Sequence, residues 1–199
     1  MAGRECRILV GVEDPFDFQQ LRVQQPGKLL ADRAKYEIFN AERQLLATAT
    51  ETEGHTLLKL LSKSMPDTRV LAVATAGGEP VLSLIKHASE WMTELRDPEG
   101  GLIGRIRTGD TRRIYTLLDG QDKIVGKVTG DLALRHYSAT GTGRREFARI
   151  RKTWAGLAKE MLTPSDHYRM EFTGPVSHPA RTLTVMVPIV LDLTSYGPI

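Results

Sequence analysis

One short pattern recurs along this chain and constrains its fold more than any other feature. Turn-forming clusters stand at Asn40-Ala41-Glu42-Arg43, Ala76-Gly77-Gly78-Glu79, Asp97-Pro98-Glu99-Gly100, Asp119-Gly120-Gln121-Asp122 and Gly141-Thr142-Gly143. Each separates two short runs rich in β-branched and apolar residues, the pattern of a β-hairpin. The last four begin at residues 76, 97, 119 and 141, spacings of 21, 22 and 22 residues, so a structural unit is repeated. The strand after each turn repeats as well. Leu45-Leu46-Ala47, Val81-Leu82-Ser83, Leu102-Ile103-Gly104, Ile124-Val125-Gly126 and Glu146-Phe147-Ala148 all end in a small residue, and two positions on stand Ala49, Ile85, Ile106, Val128 and Ile150. Strand side chains alternate between faces, so the small residue and its apolar successor share one face. Arg105 with Arg107, Lys123 with Lys127, and Arg145 with Arg149 and Arg151 then line up on the other.

Five hairpins supply ten strands, and Gln20-Leu21-Arg22-Val23-Gln24 and Tyr168-Arg169-Met170-Glu171-Phe172 read as two more. A meander of twelve antiparallel strands removes its exposed edges by closing into a barrel. About eight strands make a barrel that side chains alone can fill; twelve leave a lumen. Small inward residues at Ala47, Ser83, Gly104, Gly126 and Ala148 leave room there for something thick. The candidate is the most apolar run of the chain, Pro179 to Ser195, with Leu183, Val185, Met186, Val187, Ile189, Val190, Leu191 and Leu193. Its β-branched residues and Pro188 favour a buried strand, whereas its apolar character all round suits a central helix. The residues by themselves leave both readings open.

Composition narrows the class. The chain has 199 residues, 41% hydrophobic and 26% charged, which fits one domain with a substantial core. No apolar run reaches the roughly 18 residues of a membrane-spanning helix, and residues 1–14 lack a signal peptide's apolar centre. The lone Cys6 excludes an internal disulfide and a cysteine-rich zinc site. The expectation is a soluble, cytoplasmic protein with a barrel domain over residues 20–199, preceded by an extension over residues 1–19. Charge is unevenly spread: residues 101–152 carry twelve Lys/Arg against five Asp/Glu, within a chain whose net charge is only +3. Such a segment makes either an electropositive face suited to phosphates or a solvated strand face rich in arginine.

The stretch Ile150-Arg-Lys152-Thr-Trp154-Ala-Gly156-Leu-Ala-Lys-Glu160-Met-Leu-Thr163-Pro-Ser-Asp166-His-Tyr168 closely resembles the C-terminal signature of the phospholipid scramblase family. Met170-Glu171-Phe172, an apolar segment carrying Asp192, and an early Lys35-Tyr36-Glu37-Ile38-Phe39-Asn40 strand extend the likeness in the same order. The broader group includes LURP-one-related proteins and the tubby C-terminal domain. The resemblance implies a mainly β fold, a closed barrel of twelve antiparallel strands around a hydrophobic C-terminal helix. It also implies docking on phosphoinositides or other anionic phospholipids. It implies calcium-dependent scrambling as well, but the residues proposed to take calcium are not matched. Where the family's proposed calcium loop begins and ends with acids, this chain has Pro164 and Pro175, and Asp166 alone cannot supply the six to eight oxygens that calcium takes.

Catalytic chemistry leaves no comparable trace. His55, His87, His136, His167 and His178 fall at no metal-ligand spacing, and no nucleophile elbow or phosphate-binding loop is present. Trp91 and Tyr115 lack the clustered aromatics of a single-strand nucleic-acid platform. Trp154 reads as a core anchor, Glu160 as a local turn partner, and Asp192 as a structural acid at the helix's exposed end or on backbone freed by Pro188. The expectation is a non-enzymatic protein, with no cofactor or metal, binding an anionic membrane surface peripherally from the inner face. The cations expected to do so are Arg105, Arg107, Arg112, Arg113, Lys127, Arg149 and Arg151. A protein- or nucleic-acid-binding module using the same surface is the alternative, with nucleic acid the weaker of the two.

Overall fold

A computed structural model describes residues 15–26, 34–52, 68–87, 91–111, 113–154 and 166–195. Its strands are β1 (Gln20–Gln24), β2 (Lys35–Asn40), β3 (Leu45–Glu51), β4 (Arg69–Thr75), β5 (Pro80–Lys86), β6 (Met92–Arg96), β7 (Leu102–Thr108), β8 (Ile114–Asp119), β9 (Ile124–Gly130), β10 (His136–Gly141), β11 (Glu146–Trp154) and β12 (Asp166–Phe172), followed by the helix α1 (Ala180–Ser195). Every strand pairs antiparallel with its neighbours in sequence, and β1 pairs with β12 to close the barrel. The closed twelve-stranded barrel around a C-terminal helix is the architecture the repeat and the resemblance lead one to expect.

The repeat has one stereochemical basis. In each of the five hairpins the first turn residue accepts a hydrogen bond from the amide three residues on, as Asn40 does from Arg43 and Asp119 from Asp122. That third residue, Arg43, Gly78, Gly100, Asp122 or Arg144, lies at positive φ between 60° and 89°. A bulge follows, because the register slips by one residue just beyond every one of these turns. This is a type I turn closed by a left-handed residue, a common three-residue hairpin connection. The first side chain fixes it: Asn40, Asp97 and Asp119 carboxyl or amide oxygens accept the amide four residues on.

The second unit corrects the sequence reading. Its turn begins at Thr75, whose hydroxyl accepts the Glu79 amide, and not at Ala76. A threonine hydroxyl does the work of an Asn or Asp there, while the glycines draw the eye one residue too far. The slip inverts the faces: Leu82 and Leu84 point inward and Ser83 outward. Ala47, Gly104, Gly126 and Ala148 face the core as expected. Gly104 lies against the helix, where an added Cβ would come within 2.3 Å of the Leu118 carbonyl oxygen and 3.2 Å of Leu183 Cδ1.

The helix fills the lumen and packs on β7, β8, β9 and β12. Leu183, Val185, Met186, Val187, Ile189 and Val190 are fully buried, each worth about 1.5–3 kcal/mol. Its threonines are satisfied inside: Thr184 and Thr194 donate to the carbonyls of Ala180 and Val190, and Thr182 bonds His178 Nδ1. Asp192 is not at an exposed end. It is buried and accepts a 2.5 Å hydrogen bond from the Tyr36 hydroxyl. The acid of the apolar segment and the tyrosine of the early strand motif are thus joined across the interior. Burial first, then the Asp192 charge, drives the Tyr36 hydroxyl's pKa far upward, so it stays a donor.

The strands place two kinds of connection at opposite ends of the barrel. The five repeated turns ring one end, where the helix begins. Segment 15–19 also crosses that end: Phe16 is buried in the core, and Arg181 donates to the Phe16 and Phe18 carbonyls while stacking on Phe172. The β5–β6, β7–β8, β9–β10 and β11–β12 connections leave from the other end. There Arg69 and Glu51 form a two-point ion pair at 2.7 and 2.9 Å, which holds the Glu51 carboxyl below its ordinary pKa.

Candidate functional site

The outer wall is built by alternation: along β7, β9 and β11 each inward apolar or small residue is followed by an outward polar one. The cations expected to form a site divide sharply there. Arg105 is held by Glu94 at 3.1 Å and by Asp122, whose hydrogen bond is the main cause of its raised pKa. Arg149 is bound by Glu146 at 2.6 Å. The Ser138 hydroxyl first, and Arg149 after a smaller opposing effect of burial, keep that Glu146 carboxyl ionised below its usual range. Arg113 is half-buried and donates to the Gly130 carbonyl at 3.3 Å. Arg107, Lys127 and Arg151 are exposed with no acidic partner among the described residues. Arg112 lies outside the described residues, as do Cys6, His55, Glu160 and Pro164, and so does the side chain of Trp154.

Two arginines outside the basic middle segment complete the picture. The pairing of β11 with β12 sets Arg151 directly opposite Arg169, and barrel closure sets Arg169 opposite Arg22 of β1. His136 of β10 stands opposite Arg151 on the other side. Directly paired residues have Cα atoms about 4.5–5.5 Å apart, so three arginines and a histidine form one row across four strands. None of the three arginines has a carboxylate partner among the described residues. His136 bonds Asp131 at 3.1 Å. Like charges placed directly opposite destabilise a sheet, so this row is a local cost that a bound anion would remove. Alternation along β1 and β12 already sends Arg22 and Arg169 outward. Their approach to Arg151 is invisible locally because strands one and eleven both pair with the twelfth.

The outward surface is also inconsistent with a barrel wall facing lipid. Lipid-facing strands carry apolar residues outward and polar ones inward; here Arg105, Arg107, Lys127, Arg149 and Arg151 face out while Ile106, Val128 and Ile150 face in. Among the described residues no helix is long and apolar enough to cross a membrane, and no group of His, Cys, Asp and Glu side chains could hold a metal ion.

Residues 31–197 match the family model described as Scramblase. No curated protein matches the chain.

Proposed function

The chain belongs to the scramblase family, and from that membership we propose that it is a non-enzymatic barrel that binds anionic phospholipid headgroups through its outer wall, docking peripherally on the inner membrane face. The observation that carries the reading is the cross-strand row Arg22, Arg169 and Arg151, three arginines paired in register without an acidic partner among the described residues. A guanidinium fork matches the oxygens of a phosphate two at a time, and adjacent forks suit a surface of many phosphates better than one small ion. Arg107 and Lys127 extend the positive wall. Arg112 belongs to it by sequence, Arg105 and Arg149 contribute charge at longer range because each is already paired with a carboxylate, and Arg113 stands half-buried at its edge with one donor on the Gly130 carbonyl.

Co-sedimentation with phosphatidylcholine vesicles, with and without phosphatidylserine, tests this at low salt. Binding follows the anionic lipid and weakens as salt rises. Each cation near such a surface is worth about 1 kcal/mol, so Arg151→Glu with Arg169→Glu lowers binding at least about 30-fold. Arg105→Gln, which releases two carboxylates already paired, changes it little. Equal binding to both vesicles, or indifference to the double reversal, overturns the reading; a preference for duplex DNA over both moves the same wall to nucleic acid.

A further inference from the structure

The end of the barrel opposite the repeated turns carries a second feature besides charge. Its connections expose large apolar side chains: Leu132 is 86% exposed, Trp91 51% and Leu134 38%. Single exposed apolar residues are ordinary, but these three stand on two connections of one rim. The bases of the connections are knitted together in sequence. The Thr108 amide donates to the Trp91 carbonyl at 2.7 Å, the Gly130 amide to the Arg113 carbonyl at 2.7 Å, and the Lys152 amide to the Arg135 carbonyl at 2.8 Å. The rim from β6 to β11 is therefore one continuous structure, its strands about 4.8 Å apart.

Leu134 bears a second cost. It lies at φ 54°, the left-handed position of a turn from Asp131, where glycine or asparagine is at ease. The turn is otherwise well made: Asp131 accepts the Arg135 amide on its side chain and the Leu134 amide on its carbonyl. A leucine is thus held in a strained backbone and shown to water at once. Strain that the surrounding structure over-determines concentrates at functional sites. Cations fringe the same rim, with Arg107 opposite Met92 beside Trp91, Arg113 at the base of the β9 end, and Arg151 opposite His136.

We propose that this rim inserts shallowly into an anionic bilayer, Trp91, Leu132 and Leu134 entering the headgroup–acyl boundary while Arg107, Arg113 and Arg151 meet the phosphates around them. The inference rests on the headgroup reading above and adds the end of the barrel that points at the membrane. An apolar tip ringed by cations matches that boundary on both counts: tryptophan concentrates at membrane interfaces, and interfacial elements bind by combining buried apolar surface with attraction to anionic lipid. A protein partner of the same size would need the rim's cations matched by acids at fixed positions; a fluid layer of phosphates supplies them anywhere.

The test is tryptophan emission of the full chain titrated with phosphatidylcholine–phosphatidylserine vesicles, some carrying chain-brominated lipid. Insertion gives a blue shift and bromine quenching that Trp91→Phe removes, leaving only the contribution of Trp154. Leu132→Ser with Leu134→Ser weakens vesicle binding about tenfold or more while leaving the melting temperature of the free protein near that of the wild type. Binding that follows phosphatidylserine without shift, quenching or sensitivity to these leucines overturns insertion and leaves the headgroup reading intact. Insertion equally strong on pure phosphatidylcholine overturns the headgroup reading alone, and absence of binding to either vesicle overturns both.

Discussion

The two ends of this barrel are made of the same strands but follow different rules. At one end five connections share one turn, closed by an Asn, Asp or Thr side chain in four of them and by a left-handed residue in all. Its exposed charges are of both signs, Glu42, Glu79, Glu99 and Asp122 beside Arg43, Lys123, Arg144 and Arg145, and Arg181 seals segment 15–19 across it. At the other end the connections differ in length and chemistry, and they expose Trp91, Leu132 and Leu134 among arginines. The difference teaches where specificity of fold and freedom of surface reside. Tight, self-satisfied hairpins fix the register of every strand pair they join, and once register is fixed the far connections are relieved of that duty.

The largest effect is expected at the turn end. Gly104 sits one residue past the bulge of the β6–β7 hairpin, against backbone and helix together. Gly104→Val must push the β8 backbone or Leu183 away, at a cost of about 3 kcal/mol, a fall in Tm of roughly 6–12 °C for a chain of this size. Thermal unfolding followed by circular dichroism measures it, and an unchanged Tm would mean the helix does not rest on that wall. Next comes the anchor of the helix's distal half. Tyr36→Phe takes the hydroxyl from buried Asp192 and costs about 1–3 kcal/mol, read from the midpoint of urea unfolding. The finest contrast sets the ends against each other. Asp119→Ala removes the acceptor for the Gln121 and Lys123 amides and costs about 1 kcal/mol. Leu132→Ser changes stability by less than about 0.5 kcal/mol. If the loop-end substitution destabilised as much as the turn-end one, the division of labour drawn here would be lost.

Much of the fold is legible in the chain because its signals are local and repeated. Period-two alternation, turn residues and small inward positions recur often enough that one displaced unit, at Thr75, does not disturb the count of strands. The candidate site is less legible, for two physical reasons. Charge is countable along a sequence, but whether an arginine is available depends on what stands across the strand. Arg105 looks like Arg107 and Arg151 in pattern, and only the register sets Glu94 opposite it; Arg149 takes Glu146 from three residues earlier on its own strand. Arg22 and Arg169 lie outside the basic segment altogether; Arg169 enters the row from β12 and Arg22 through barrel closure. Leu132, at a loop tip, has no periodicity to announce it.

The amino-acid sequence by itself determined the strands, their hairpin order and the apolar character of residues 180–195. It did not determine that this last segment is helical, since Thr, Val, Ile and Pro188 argue locally for a strand. The closed barrel decided that. Within it no strand edge remains open to accept a further strand's hydrogen bonds, so a buried segment must satisfy its amides and carbonyls internally, and a helix does so. Closure likewise completed the row of arginines, because it is the pairing of β1 with β12 that sets Arg22 opposite Arg169, which already faces Arg151 across β11 and β12.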